Sequence, residues 1–389
     1  MALDLKMDQT PLEPIAVIGG GLMGALSSLC VASLGFSVLW FGPEESDRAD
    51  GADARNYALS PLTVDLLKRL GVWSAIEPHA CTVTRMEVFS GDVRIDLSAT
   101  DAGSDFLSCM VLHRDLLGGL ERAVRFRPQI RRIKNKPDSF KATADYVDIK
   151  CSEGGFRAKL LIGADGARSW VRRQSGILWG QHDYAQQGVV VVLRTERPHG
   201  GVAAQWFEDG EILAFLPLAN PNEVSIVLST SEPFCNDDAY KSRLLEKIQR
   251  RSGNRFGAIE LIGEPVCAPL RMMLTESQSA LRSVLVGDAA HTVHPLAGYG
   301  LNLGIQDLLS LEEILKANKT DPGGSTVISA YEKARSWRVK RVQWSLDMLQ
   351  RLVTQTNPGI TRLQRWGMKL VADISPLRQF LIRQAISPQ

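Results

Sequence analysis

The sequence predicts an α/β fold: a parallel sheet built from separated stretches of chain, an inserted antiparallel-sheet domain, and a helical C-terminal segment. Three observations predict it. A strand, a glycine-rich turn, a helix and a second strand follow one another between Ile15 and Phe41. Short apolar runs at 15–18, 158–162 and 284–286 read as strands buried on both faces, although they lie far apart in the chain. A β-rich block with turn signals occupies 187–229, between the last two runs.

Each element follows from its own residues. Ile15-Ala16-Val17-Ile18 forms a buried strand. Leu22, Ala25, Leu26, Leu29 and Ala32 recur at helical spacing, and Ser37–Phe41 is the second strand. The unit is βαβ, which implies parallel pairing. Pro14 to Pro43 contains no Asp, Glu, Lys or Arg. That is long enough for a bilayer, which needs about 20 apolar residues. Three consecutive glycines, and the split into two β-like runs around a helical one, argue against a span. Pro61–Leu70 is helical, with Ser60 as N-cap and Gly71 as stop. Strand-like runs follow at Val83–Phe89 and Val93–Leu97, then a helix at Arg114–Phe126. Ala158–Ile162 ends in Gly163-Ala164-Asp165-Gly166. Gln187–Glu196, Ile212–Leu216 and Val224–Ser229 make the β-rich block, and Asp237–Arg251 is an amphipathic helix. Val284–Val286 ends in Gly287-Asp288. A long helix starts near Leu301, and the chain from about Thr326 is mostly helical, broken near Pro358 and Pro376. The expected domains are 1–80, 100–178 and 276–335 for the parallel sheet, 81–99 and 179–275 for the insertion, and 336–389 for the tail.

Composition narrows the class. The 389 residues are 44% hydrophobic and 23% charged, with 33 Gly, which excludes a disordered, collagen-like or disulfide-scaffold chain. A net charge of +2 gives no footprint for nucleic acid. The six cysteines form no CxxC pair and fit a reducing cytosol. The acidic, polar start (Asp4, Asp8, Glu13) lacks the basic region of a secretory signal. The charge is unevenly placed: from Tyr331 to Gln389 there are eleven Lys/Arg and three Asp/Glu, a basic tail of +8 on an acidic body.

Gly19-Gly20-Gly21-Leu22-Met23-Gly24 fits GxGxxG, directly after a strand and opening a helix. Gly19 permits the tight turn, Gly21 lets a pyrophosphate approach the backbone, and Gly24 lets helix and strand pack closely. This is a Rossmann-like dinucleotide site. Its usual partner is an acid at the end of the second strand, about 20 residues on. Here Gly42 stands at that place, followed by Glu44 and Glu45. His291 and His294 make an HxxH pair without further spaced ligands, so they read as packing or hydrogen-bonding residues rather than a metal site.

Two further stretches carry a resemblance. Ala164-Asp165-Gly166 with Ser169, Val171 and Arg172 resembles the ADGxxSxVR stretch of flavin-dependent aromatic hydroxylases. Gly287-Asp288-Ala289-Ala290-His291 through Pro295, Gly298, Gly300, Asn302, Gly304 and Asp307 resembles their GDAAHxxxPxxGxGxNxGxxD block. Asp53-Ala54-Arg55-Asn56-Tyr57-Ala58-Leu59-Ser60 resembles a segment of one branch, the ubiquinone-biosynthesis hydroxylases, and so do Tyr184-Ala185-Gln186, Ala214–Leu218 and Tyr331-Glu332 with Arg335. The chain departs from that branch at Tyr299, where Gln is usual, and at Val227-Leu228-Ser229, where Val-Trp-Ser is usual.

The resemblance implies tightly bound, non-covalent FAD, with NAD(P)H as a transient donor and O₂ as co-substrate. The implied reaction is hydroxylation of the aromatic ring of a polyprenylated phenol through a flavin C4a-hydroperoxide. It assigns Gly19, Gly21, Gly24, Arg55, Arg114, Asp165, Gly287, Asp288, Pro295, Gly298, Gly300, Leu301 and Asn302 to the cofactor. Asp288 is the acceptor for the ribityl chain, and the helix opening at Gly298–Leu301 offers N–H groups to the flavin's pyrimidine edge. No side chain is assigned as acid or base, because the cofactor carries the chemistry. Phe215, Leu216, Pro217 and Tyr299 are expected at the substrate. Val342, Leu346, Leu349 and Val353 make an apolar face on the basic tail, with Trp337, Trp344 and Trp366 nearby. The tail therefore suits an anionic membrane surface or another pathway protein, on a cytoplasmic enzyme peripheral to the inner face of the membrane. An aromatic hydroxylase of another pathway, or a flavin-binding scaffold subunit, remains open.

Overall fold

A computed structural model describes residues 11–43, 54–233, 239–293 and 299–354. The parallel sheet runs in the order Ser279–Ala280, Ser283–Leu285, Gly154–Gly163, Leu12–Ile18, Val38–Phe41, Ile130–Ile133. The central four of these are mutually parallel, and Val38–Phe41 pairs parallel with Ile130–Ile133. Alternation along Leu12–Ile18 sends Ile15 and Val17 to one face and Ala16 and Ile18 to the other, and all four are buried. The first face is covered by the helices Leu22–Ser33, Pro61–Arg69, His113–Arg125 and Tyr299–Ala317. Burial on both sides is why these strands read as unbroken apolar runs.

Register fixes what matters for function. Ile18 lies opposite both Gly163 and Phe41, and Gly163 opposite Leu285. The N–H of Ala164 donates to Ile18 O at 2.8 Å, and that of Val286 to Gly163 O at 3.0 Å. The turns that follow these strands therefore stand side by side at the carboxyl edge of the sheet, where open α/β sheets bind ligands.

The second sheet has the order His291–Thr292, Ile259–Thr275, Trp179–Thr195, Glu223–Thr230, Glu211–Pro217, Val202–Glu208, Arg85–Ser90, Val93–Ser98. It is antiparallel except where Val202–Glu208 meets Arg85–Ser90. One face is covered by the helix Tyr240–Arg251, whose Leu244 and Ile248 pack on Val191, Leu213, Phe215 and Ile226. A three-stranded sheet of Asn56–Leu59, Ser108–Leu112 and Cys81–Val83 joins the two large sheets. Cys81–Val83 thus pairs in this small sheet, and the insertion's own strands start at Arg85.

The C-terminal helix Ser325–Thr354 is unbroken through residue 336, where a separate tail was expected. Tyr331, Arg335, Val339 and Gln343 are buried against the body, and Val342 packs beside Val339. Trp337 and Trp344 lie on the opposite side, 71% and 67% exposed, with Lys333, Lys340, Arg341 and Met348. The remaining tail positions, Leu346, Leu349, Val353, Pro358, Trp366 and Pro376, lie outside the described side chains. Cys267 is disulfide-bonded, against the expectation of unpaired cysteines in a reducing cytosol, and no local spacing signalled it; Cys30, Cys81, Cys109 and Cys151 are free. Among the described residues no helix is long and apolar enough to cross a membrane.

Candidate active site

The glycine turn is built by close approaches. Gly19 has φ +138°, and a Cβ there would strike Ala164 O; a Cβ on Gly24 would strike Gly19 O. Trp40 Nε1 donates to that same oxygen at 2.8 Å, which anchors the turn to the second strand. Gly21 differs. Its φ is −86°, a Cβ would meet nothing within 4 Å, and it caps the helix Leu22–Ser33 without any side-chain hydrogen bond. The first N–H groups of that helix have no side-chain cap.

Gly42 explains the missing acid. A Cβ there would lie 2.5 Å from Gly20 Cα, so no larger residue fits without moving the turn. Glu44 and Glu45 lie outside the described residues. A residue with no sequence signal closes this end instead. Arg132 lies over the Trp40 ring at 4.1 Å, donates to Gly42 O at 3.2 Å and to Pro43 O, and pairs with Glu121 at 2.9 Å.

The second turn centres on Asp165. Its Oδ1 accepts from Ser169 Oγ at 2.5 Å, and its Oδ2 from the N–H groups of Trp170 and Val171 at 2.6 and 3.1 Å. Both oxygens are engaged inside their own loop, so Asp165 shapes the loop rather than offering a free carboxylate. Arg172 extends the link: it donates to Ala167 O and to Ala289 O, each at 2.8 Å, joining the second turn to the third.

The third turn, Gly287–Ala289, carries Asp288. Its carboxylate is open to solvent although protein atoms crowd it. That crowding pushes its pKa above the ordinary value, against the opposing pull of His291 and Arg55. Behind it lies a fully buried cluster. Asp307 Oδ2 accepts from Gly287 N at 2.9 Å and from His291 Nε2 at 2.7 Å; Asp307 Oδ1 accepts from Arg335 Nε at 2.7 Å. Burial alone would raise the Asp307 pKa, but His291 and Arg335 outweigh it and hold the carboxyl below its usual range. Tyr331 Oη donates to Leu285 O at 2.7 Å. The C-terminal helix thus fixes the turn that bears Asp288. His291 hydrogen-bonds as the sequence suggested; His294 lies outside the described residues.

Of the other expected cofactor residues, Arg55 is exposed and close enough to Asp288 to act on its charge. Arg114 is exposed in the first turn of His113–Arg125, and His113 N donates to Arg55 O at 2.8 Å, so the two arginines are neighbours. Gly300 is half-buried at the start of Tyr299–Ala317. One expectation is consistent with the structure and one needs correction. The Leu301 side chain is in the core, which leaves only its backbone for a ligand. The Asn302 side chain is a strut: Nδ2 donates to Ala58 O at 2.7 Å, and Oδ1 accepts from Ser60 N and Thr63 Oγ1. Pro295, Gly298 and the Tyr299 side chain lie outside the described residues.

Strand parity corrects the substrate side. Phe215 is 1% exposed and stacks on Phe256 at 4.8 Å, on the face covered by the helix Tyr240–Arg251. Pro217 has the same parity, and Leu228, the departure from Val-Trp-Ser, is buried in that same core. Leu216 has the opposite parity and packs with Val83, Met110 and Ala203. Two pairs further along, Ile212 packs with Val293, Leu303 and Val339. Between these flanks Ala214 is half-buried, in register with Gln205 and Val227. This strip had a readable signal, the alternation of the strand, but AFLPL is apolar throughout and hid which face was which.

A family model described as FAD binding domain matches residues 13–344. The chain belongs to that family. It is 34% identical to the 3-demethoxyubiquinol 3-hydroxylase of Escherichia coli (strain K12), across 98% of this chain and 100% of the relative. It is 27% identical to the ubiquinone hydroxylase UbiL of Rhodospirillum rubrum, across 96% and 89%. The structure of p-nitrophenol 4-monooxygenase PnpA from Pseudomonas putida DLL-E4 aligns over 96% of this chain and 98% of that one, with a TM-score of 0.81 at 18% identity, a likeness of fold.

The residues of this FAD-binding-domain protein fit the cofactor on independent grounds. Gly21 leaves open the space a pyrophosphate needs, at an uncapped helix start. Asp288 presents an accessible carboxylate at a strand end. The helix Tyr299–Ala317 has no acid in its first turn to repel an electron-rich ring edge.

Proposed function

We propose that this FAD-dependent monooxygenase hydroxylates the aromatic ring of a polyprenylated phenol on the route to ubiquinone. The observation that carries the reading is the apolar face of the antiparallel sheet lying between the small sheet and the two C-terminal helices, beside the three aligned turns. The names of the full-length relatives point to the same substrate class.

In this reading the turn Gly19–Gly24 holds the pyrophosphate, with Arg55 and Arg114 beside it. Asp288 accepts from a ribityl hydroxyl, and the backbone N–H groups from Gly298 to Leu301 face the pyrimidine edge. Asp165 and Asn302 position these parts. Bound FAD supplies the redox chemistry and the activation of O₂, with NAD(P)H as the donor. The chain's own residues orient the ring, exclude water and set the charge around the cofactor. The parallel sheet and its helices form the FAD-binding domain, and the antiparallel sheet forms the substrate domain. The exposed basic side of the C-terminal helix suits an anionic membrane or another pathway protein, on a cytoplasmic enzyme.

Mass spectrometry of quinone intermediates in a deletion strain tests this. Loss of ubiquinone with accumulation of an under-hydroxylated prenylphenol is expected. Unchanged ubiquinone points to an aromatic hydroxylase of another pathway, and a purified protein without flavin colour points to a scaffold.

A further inference from the structure

One row of residues crosses the sheet face that looks toward the aligned turns. Gln205, Ala214, Val227, Val190 and Val266 stand side by side on five successive strands, and Val88 precedes them. Their parity puts all six on the face opposite Phe215. The rows on either side are closed by packing, at Leu216 against Met110 and at Ile212 against Leu303. Within the row Ala214, Val227 and Val190 keep some exposure, and Val266 reaches 40%.

Gln205 is the exception in an apolar row. It is 5% exposed, and its side-chain amide makes no hydrogen bond among the described residues. The residue is packed in place, but its unpaired amide atoms are not among those sealed inside the protein, so they remain accessible to a ligand that can pair with them. Beyond Gln205 lies the half-buried Val88, and past Val88 the buried Ile95 ends the row. At the other end it opens at Val266. The row therefore has a polar residue near its more buried end, a small side chain at Ala214, and an apolar path leading out to Val266.

We infer that this row is the substrate track: the Gln205 amide pairs with the oxygen substituent of the aromatic head, the ring lies against Ala214, and the apolar tail leaves over Val227 and Val190 past Val266. The inference rests on the prenylated-phenol reading above. Gln205 has both a donor and an acceptor and can pair with a hydroxyl, which donates and accepts. Four strand spacings of about 4.8 Å make the path about 19 Å long, enough to hold several carbon units of a tail.

The test uses the FAD-loaded enzyme and quenching of flavin fluorescence by phenols carrying one prenyl unit or a long polyprenyl chain, and by an analogue lacking the ring oxygen. Gln205→Leu should raise the Kd of the phenols about tenfold, the upper end for one neutral hydrogen bond. It should leave the Kd of the deoxygenated analogue within about twofold, a contrast that a merely structural role does not produce. Val266→Trp, at an exposed position that spares the core, should weaken binding of the long-chain phenol and spare the one-prenyl phenol. FAD content and Tm confirm that both variants are folded. The inference is overturned if Gln205→Leu shifts phenol and analogue alike or shifts neither, or if Val266→Trp leaves long-chain binding unchanged. If wild type binds no prenylated phenol, the functional reading itself fails and takes this track with it.

Discussion

Two glycines of one motif have opposite tolerances, because one faces protein and the other faces open space. Gly21→Val should fold, since its backbone is ordinary and nothing lies within 4 Å of the new Cβ. The added side chain occupies the pyrophosphate's approach, so the protein should purify colourless with a Tm close to that of wild-type apoprotein. Gly24→Val should instead lower Tm sharply, because its Cβ strikes Gly19 O. Asp288 gives a second expectation. A hydrogen bond to a charged acceptor contributes about 1.5–3 kcal/mol, so Asp288→Ala should weaken FAD binding by about 10- to 150-fold. Crowding by surrounding atoms raises the Asp288 pKa, so this carboxylate takes up its proton at a higher pH than an ordinary aspartate. FAD affinity should therefore decline as pH falls toward the carboxylate range. Asp288→Asn, which keeps a neutral acceptor, should flatten that profile when titrated by flavin fluorescence.

The C-terminal helix and the turn Gly287–Ala289 act as one piece, joined by Asp307. Removing one partner of a buried ion pair costs about 3–5 kcal/mol. Arg335→Met should destabilise the chain by that order in urea unfolding and loosen the Asp288 turn, releasing FAD at lower denaturant than wild type. The sign of the pH effect follows from the depressed Asp307 pKa. The contribution is complete above the ordinary aspartate range and is lost as pH falls through the folded value. With Arg335 removed, part of that depression goes, and the acid-side loss should move to higher pH. Much of the fold was legible here. The βαβ unit, the Ser60 cap and both C-terminal helices follow from local spacing and capping. The Asp307 cluster was not, because its members are buried charges brought together across the fold, and sequence spacing carries no sign of such pairing. The face of Glu211–Pro217 was hard to read for another reason: after Glu211 both faces are apolar, one packed into the core and the other half-buried, so the polar half of the alternation is missing.

For the molecule as a whole, the charge asymmetry acquires a direction. The buried side of Ser325–Thr354 holds the flavin turn, while Lys333, Trp337, Lys340, Arg341, Trp344 and Met348 face outward. Each Lys or Arg near an anionic membrane contributes about 1 kcal/mol, an attraction screened by salt. Reversing Lys340, Arg341 and Arg351 to Glu should leave FAD content and Tm intact but abolish salt-sensitive sedimentation with anionic liposomes. Retained sedimentation, or none in wild type, would return this surface to a solvated helix side. The Arg335–Asp307 bond has a consequence during synthesis. Asp165 and the glycine turn are translated early, and the 283–285 strand follows, but Asp307 lacks its guanidinium partner until Arg335 has left the ribosome. A nascent chain shorter than that has Asp307 held by Gly287 and His291 but without the arginine on its other oxygen. A chain released before that arginine should therefore hold its flavin more weakly than the full chain, which flavin colour of a protein truncated before Arg335 would show.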